Sequence, residues 1–206
     1  MTRRSVLLAL ALSLALLSAS PLSLHAQYVI GARDTLTARV DAVFRAFDRT
    51  DSPGCAVGVY RDGRTLYARG YGMANLELGV PNTPRTVFDI GSVSKEFTAT
   101  AVLLLAQEGK LSLSDDVRKY FPEMPAYASG GTIRHLLNHT SGIRDQWQTL
   151  ALAGWRLDDV ITQKQILRLL FHQKELNFVP GTSHLYSNGG YTLAAEVVAR
   201  VAATSF

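Results

Sequence analysis

Between residues 34 and 48, Leu36, Val40, Val43, Phe44 and Phe47 recur at helical spacing with Asp and Arg between them. This pattern predicts an amphipathic helix with one buried stripe, broken by Pro53-Gly54. Two short apolar runs follow, Ala56-Val57-Gly58-Val59-Tyr60 and Thr65-Leu66-Tyr67-Ala68-Arg69, on either side of Arg61-Asp62-Gly63-Arg64. Short apolar runs around Asp-Gly predict a β-hairpin. Gly70 to Pro84 is rich in Gly, Asn and Pro and reads as a loop. From Ser92 to Gln107 the chain is strongly apolar, with Val93, Phe97, Ala101, Leu104 and Leu105 on one side and Ala99, Val102 and Leu103 on others. A helix apolar nearly all round belongs in a core, and Gly109 suits its C-terminal cap. Further helices are predicted over Thr132 to Asn138, Thr162 to Phe171 and Gly190 to Ala203.

The predicted order is helix, hairpin, then helices, with no further strands, no repeats and no linker dividing two domains. A lone hairpin is marginal in water and leaves an open edge. The chain also stops at Ser205-Phe206, directly after a helix. Both features fit an α+β domain truncated before the strands that complete its sheet.

Composition narrows the class. Hydrophobic residues are 47% and charged residues 18% of the chain, which excludes a disordered polymer. The single Cys cannot form an internal disulfide, and Cys55 in its apolar strand reads as a small core residue. The net charge of +4 includes Arg3 and Arg4, and without them it falls to about +2. No Lys/Arg cluster supplies a nucleic-acid footprint.

Residues 1–26 run from Thr2-Arg3-Arg4 through an apolar stretch, Val6 to Leu17, to His25-Ala26. A charged start, an apolar middle and a small residue before the cut describe a secretory signal peptide. The apolar stretch, about 12 residues, is short of the ~20 that span a bilayer. The expectation is a periplasmic or secreted protein, residues 27–206, with no stable membrane anchor after cleavage near Ala26; the alternative is an uncleaved N-terminal anchor.

Ser92-Val93-Ser94-Lys95 opens the apolar helix. Ser92 and Lys95 are three apart and share a helix face, so an amine lies beside a hydroxyl that needs a base before it becomes a nucleophile. The helix N-terminus favours developing negative charge. The competing reading makes Ser92 a helix cap and Lys95 a solvated first-turn residue. Tyr186-Ser187-Asn188 lies in a Gly-bracketed polar loop, Pro180 to Tyr191, where a phenol can relay a proton and an amide can donate and accept together. His135 and His139 stand at zinc-ligand spacing, yet no Glu lies between them, so they read as cap and loop hydrogen-bonding residues. No metal or other cofactor is expected.

Four segments together resemble one family. Phe88-Asp89-Ile90-Gly91-Ser92-Val93-Ser94-Lys95-Glu96-Phe97-Thr98-Ala99 resembles the nucleophile segment of the class C β-lactamase and penicillin-binding-protein-like serine hydrolases, the β-lactamase-related domain. Gly109 to Val117 with Tyr120-Phe121-Pro122, then Ile133 to Ile143 with its His139-Thr140-Ser141-Gly142, are similar to the next two landmarks. Pro180-Gly181 with Tyr186-Ser187-Asn188-Gly189-Gly190-Tyr191 is similar to the fourth, and the resemblance runs from about Asp34 to the end. It implies a β-lactamase/transpeptidase-like fold, an antiparallel sheet flanked by helices plus a helical region. It makes Ser92 the acyl-forming nucleophile, Lys95 its activator and Tyr186 the proton relay. Asn188 would orient Lys95 and the substrate, and Gln146 would contact substrate. The Ser92 N–H would be one oxyanion donor. The family's Lys-Thr-Gly or His-x-Gly strand, source of the second, is absent downstream of Tyr186.

The resulting expectation is a secreted serine hydrolase that opens an amide, β-lactam, D-Ala-D-Ala peptide or ester through an acyl-enzyme. The 206-residue chain alone would be inactive. The rival is a non-catalytic member that binds peptidoglycan peptides or a partner through the same groove.

Overall fold

The computed structural model describes residues 35–156 and 158–206. The predicted signal segment lies outside the described residues. The chain forms two compact units, one ending at Asp89 and the other spanning Ile90–Phe206. No helix among the described residues is long and apolar enough to cross a membrane.

In the first unit, helix α1 (Thr35–Phe44) runs into a single 3-10 turn (Arg45–Phe47), so the helix stops well before Pro53. Its predicted stripe is only partly used: Val43 and Phe47 stay exposed, while Phe44 stacks on Tyr71 with ring centroids 5.3 Å apart. Polar contacts do much of the docking. The Asp41 carboxylate accepts hydrogen bonds from Tyr67 (2.5 Å), Tyr71 (2.7 Å) and Arg69 (2.8 Å). Burial alone would raise the Asp41 carboxyl, but these three donors outweigh it and hold it below its ordinary value.

Strands β1 (Cys55–Arg61) and β2 (Arg64–Tyr71) form the predicted antiparallel hairpin. Asp62 and Gly63 both take positive φ, 53° and 71°, which is the turn whose twist matches the flanking strands. Cys55 is half-buried on the rim of this sheet rather than in a core. The predicted loop after it contains a second small hairpin, β3 (Met73–Asn75) with β4 (Val80–Pro81). Strands this short carry no readable alternation, which is why the sequence pattern passed over them.

In the second unit, a 3-10 turn (Gly91–Val93) leads into helix α2 (Ser94–Gln107), which ends in a Schellman motif. There the Lys110 N–H reaches the Leu105 carbonyl and Gly109, at φ 69°, reaches Ala106. Helices α3 (Ile133–Leu137) and α5 (Gln163–Phe171) both begin at a threonine capping box, Thr132 with His135 and Thr162 with Gln165. Between them lies α4 (Gln146–Leu152), which the apolar spacing did not reveal, and α6 (Asn188–Ala202) closes the unit.

The core of this unit gathers Val102, Phe121, Met124, Ile133, Leu136, Leu170, Leu193 and Val197, with α2, α3 and α5 all packed on α6. Helix α2 differs from expectation. It buries Thr98, Val102 and Leu105, whereas Phe97 and Leu104 remain 67% and 53% exposed. Apolar composition gives a helix face the capacity to be buried, and contact with α6 decided which face is.

Candidate functional site

Three backbone segments converge on Ser92. The first is the 3-10 turn ahead of α2, which carries Ser92 one turn before Lys95. The Ser92 hydroxyl does not cap the helix: the residue at the cap position is Val93, with no side-chain bond. The second is the loop from His139 to Asp145, in which His139 and Gly142 take positive φ, 58° and 72°. The third is the loop that delivers Tyr186 and then the N-terminus of α6. Backbone bonds tie the last two together, Gly181 N–H to Thr140 O at 2.8 Å and Leu185 N–H to His139 O at 3.0 Å. Gly189 permits the approach: a Cβ there would lie 2.9 Å from the Arg144 carbonyl oxygen.

The geometry at the centre is a chain of hydrogen bonds. Ser92 Oγ lies 2.6 Å from Tyr186 Oη and accepts from Lys95 Nζ at 3.1 Å. Lys95 Nζ also donates to Asn188 Oδ1 at 2.9 Å. The ammonium sits 4.8 Å from the Tyr186 ring centroid and 5.6 Å from that of Tyr191. Hydrogen bonding with Lys95 and then with Ser92 lowers the Tyr186 phenol below its ordinary value, against the opposing effect of burial. A lowered phenol beside a serine hydroxyl is arranged to take its proton.

The structure brings Gln146 to the same place. It is the first residue of α4, only 5% exposed, and its Oε1 accepts from Thr192 Oγ1 at 2.7 Å. Ser92, Lys95, Gln146, Trp147, Asn188 and Tyr191 line an open groove of about 470 Å³. Four of the five residues expected at the site line this groove, and the fifth, Tyr186, reaches it through its bond to Ser92.

Two residues at the site were missed, Asp145 and Thr192. Asp145, 8% exposed, caps α4 and bonds Asn188. Its signal was an Asp directly before Gln146-Trp147-Gln148-Thr149-Leu150, an N-cap pattern too short to show helical period. Thr192 gave no signal apart from helical spacing to Asn188. His139 was read as a loop residue, and its Nδ1 does accept from the Ser187 N–H at 3.2 Å. Its ring also packs 4.4 Å from Tyr186 and 5.2 Å from Tyr191. Burial first, then the His184 and Lys95 charges, hold His139 below its ordinary value and so in the neutral form that can accept. His135 Nδ1 accepts from the Thr132 N–H in the capping box. Among the described residues, no three His, Cys, Asp or Glu side chains group as metal ligands.

Most of the chain is similar to known proteins. A D-aminopeptidase of Gluconobacter oxydans (strain 621H) is 32% identical over 166 residues, covering 80% of this chain and 31% of that protein. The solved structure of EstCE1, a hydrolase with promiscuous acyltransferase activity, superposes with a TM-score of 0.71 at 32% identity, covering 82% of this chain and 48% of that one. A class C beta-lactamase superposes with a TM-score of 0.67 at 27% identity, over 82% of this chain and 45% of that one. The fold is thus β-lactamase/transpeptidase-like, and the chain spans about a third of the length of its curated relative and under half of the two structures. The Beta-lactamase family model matches residues 40–206, and the chain belongs to that family.

Proposed function

We propose that the protein is a serine hydrolase whose full-length form works outside the cytoplasm and opens an amide, β-lactam or ester through an acyl-enzyme on Ser92. One observation carries the reading: Ser92 Oγ lies between a phenol at 2.6 Å and an ammonium at 3.1 Å, with its oxygen unspent on helix capping.

The steps follow from the contacts. Tyr186, in its deprotonated form, takes the Ser92 proton as Oγ attacks the substrate carbonyl. Lys95 donates to Oγ, and its hydrogen bonding lowers the phenol. The carbonyl oxygen gains negative charge at the N-terminus of α2, where the dipole favours it. Collapse breaks the C–N or C–O bond, and Tyr186 returns the proton to the leaving group. Water then attacks the Ser92 ester and loses a proton to Tyr186, the bond between the acyl carbon and Ser92 Oγ breaks to release the acid, and Tyr186 returns that proton to Oγ. Gln146 contributes an amide to the groove that holds the acyl portion. The D-aminopeptidase relative and the class C beta-lactamase neighbour favour D-amino acid amides and β-lactams as the substrates to try first.

The test is covalent labelling of the full-length protein by a fluorophosphonate and by a penicillin, with peptide mapping of the adduct. Wild type acquires the adduct on Ser92 and Ser92→Ala acquires none. An adduct on another residue, or turnover by Ser92→Ala, refutes the assignment.

A further inference from the structure

The hydrogen-bond chain at the site does not end at Asn188. Asp145 Oδ2 accepts from the Asn188 backbone N–H at 2.7 Å and from its side-chain Nδ2 at 2.8 Å. The other oxygen, Oδ1, accepts from the Trp147 and Gln148 N–H groups at 3.0 and 3.2 Å, which makes Asp145 the cap of α4. Four N–H donors thus satisfy one carboxylate that is almost fully buried. From there the bonds run without a gap: Asp145 to Asn188, Asn188 Oδ1 to Lys95, Lys95 to Ser92, Ser92 to Tyr186.

An amide is two-sided, and its two ends need opposite partners. A carboxylate only accepts and an ammonium only donates. Asp145 therefore claims the NH2 of Asn188, and the carbonyl oxygen is left facing Lys95. The second bond, to the backbone N–H of the same residue, closes a ring that fixes the side chain against rotation. Gln146 is joined to the same device, because the helix end that presents it starts on the Asp145 cap.

We infer that Asp145 is a positioning residue that acts through Asn188, locking that amide so its oxygen holds Lys95 in line with Ser92. The inference rests on the acyl-enzyme reading above. Its logic is that of a base whose orientation is set by a third group. Misplacement by about an ångström typically costs ~10² in rate, which sets the scale of the loss.

Asp145→Ser separates the two jobs of the residue. Serine is as good an N-cap as aspartate and keeps α4. It is too short to reach Nδ2 of Asn188. In the full-length protein, D145S lowers kcat for an amide substrate by ~10–10² with KM little changed. In an Asn188→Ala background, the same substitution changes kcat by less than ~2-fold, because the group it acts through is gone. Equal losses in both backgrounds, or no loss in either, overturn the inference. Asp145→Asn is the second variant if D145S does not fold: it keeps the cap but turns an NH2 toward two donors, and the same cycle is expected. A crystal structure of either variant decides independently of turnover. The Asn188 oxygen is expected to leave Lys95, and a retained contact near 2.9 Å overturns the inference. A wild type that takes no acyl group would refute the acyl-enzyme reading instead, and the structural result would still decide the role of Asp145.

Discussion

Tyr186→Phe removes one oxygen atom and little else. The ring keeps its contacts with His139 at 4.4 Å and with the Lys95 ammonium at 4.8 Å. What goes is the 2.6 Å bond to Ser92 Oγ. Tyr186 is 43% exposed, so the freed serine hydroxyl can bond to water and the fold should lose only ~0.5–1 kcal/mol. Catalysis should lose far more. A positioned acid–base group contributes ~10²–10⁴, or ~2.7–5.4 kcal/mol at about 1.36 kcal/mol per decade. The assay is the second-order rate of fluorophosphonate labelling of full-length protein across pH, beside kcat/KM for an amide. The base works when deprotonated, so the wild-type rate rises with pH through the Tyr186 pKa and levels off above it. Because that pKa is lowered from 10.0, the rise lies below the ordinary phenol range. Y186F should lose both the rate and the rise. The amide should suffer more than the probe, because fluoride leaves without a proton and an amine does not. A Y186F enzyme within about threefold of wild type, with the same pH profile, would refute the proton relay.

Other outcomes follow from the same structure. Lys95→Ala should cost at least ~10² in acylation rate with the thermal midpoint little changed, and near-normal labelling would make Lys95 a bystander. Asp115 is held at about 2, against an ordinary 3.8, by Tyr120, by Lys119 at 2.9 Å and by the Ser112 N–H at 2.8 Å. A depressed carboxyl stabilises above its unfolded pKa and stops doing so as pH falls through its folded one. Wild type should therefore exceed Asp115→Asn by about 1–2 kcal/mol at pH 7, and the gap should close between the two pKa values, as read by denaturant unfolding. A gap unchanged down to the lower value would refute the linkage. Amino-terminal sequencing of exported protein should begin near Gln27, and Met1 retained on a cytosolic protein would end the secretion proposal.

Local sequence determined what local physics can determine. The Asp62-Gly63 turn, the threonine boxes at Thr132 and Thr162, and the Schellman end at Gly109 each depend on residues within one turn of chain, so their signals are contiguous. Ser92 and Lys95 belong to the same class, since three residues of helix place them side by side whatever the rest does. Motif resemblance then supplied Tyr186, Asn188 and Gln146 as expectations. What the chain could not state locally was who meets whom across long loops. Ser92 and Tyr186 are 94 residues apart, and Asp145 and Asn188 are 43 apart. Only packing of α6 on α2 and the close pass of Gly189 over Arg144 bring them within hydrogen-bond distance. The same reason explains the misread faces of α1 and α2. Periodicity shows that a stripe can be buried, but Val102 is buried and Phe97 exposed because of where a partner helix lies. Tertiary structure alone made Asp145, in sequence a plain helix cap, the far end of the hydrogen-bond chain that reaches the nucleophile.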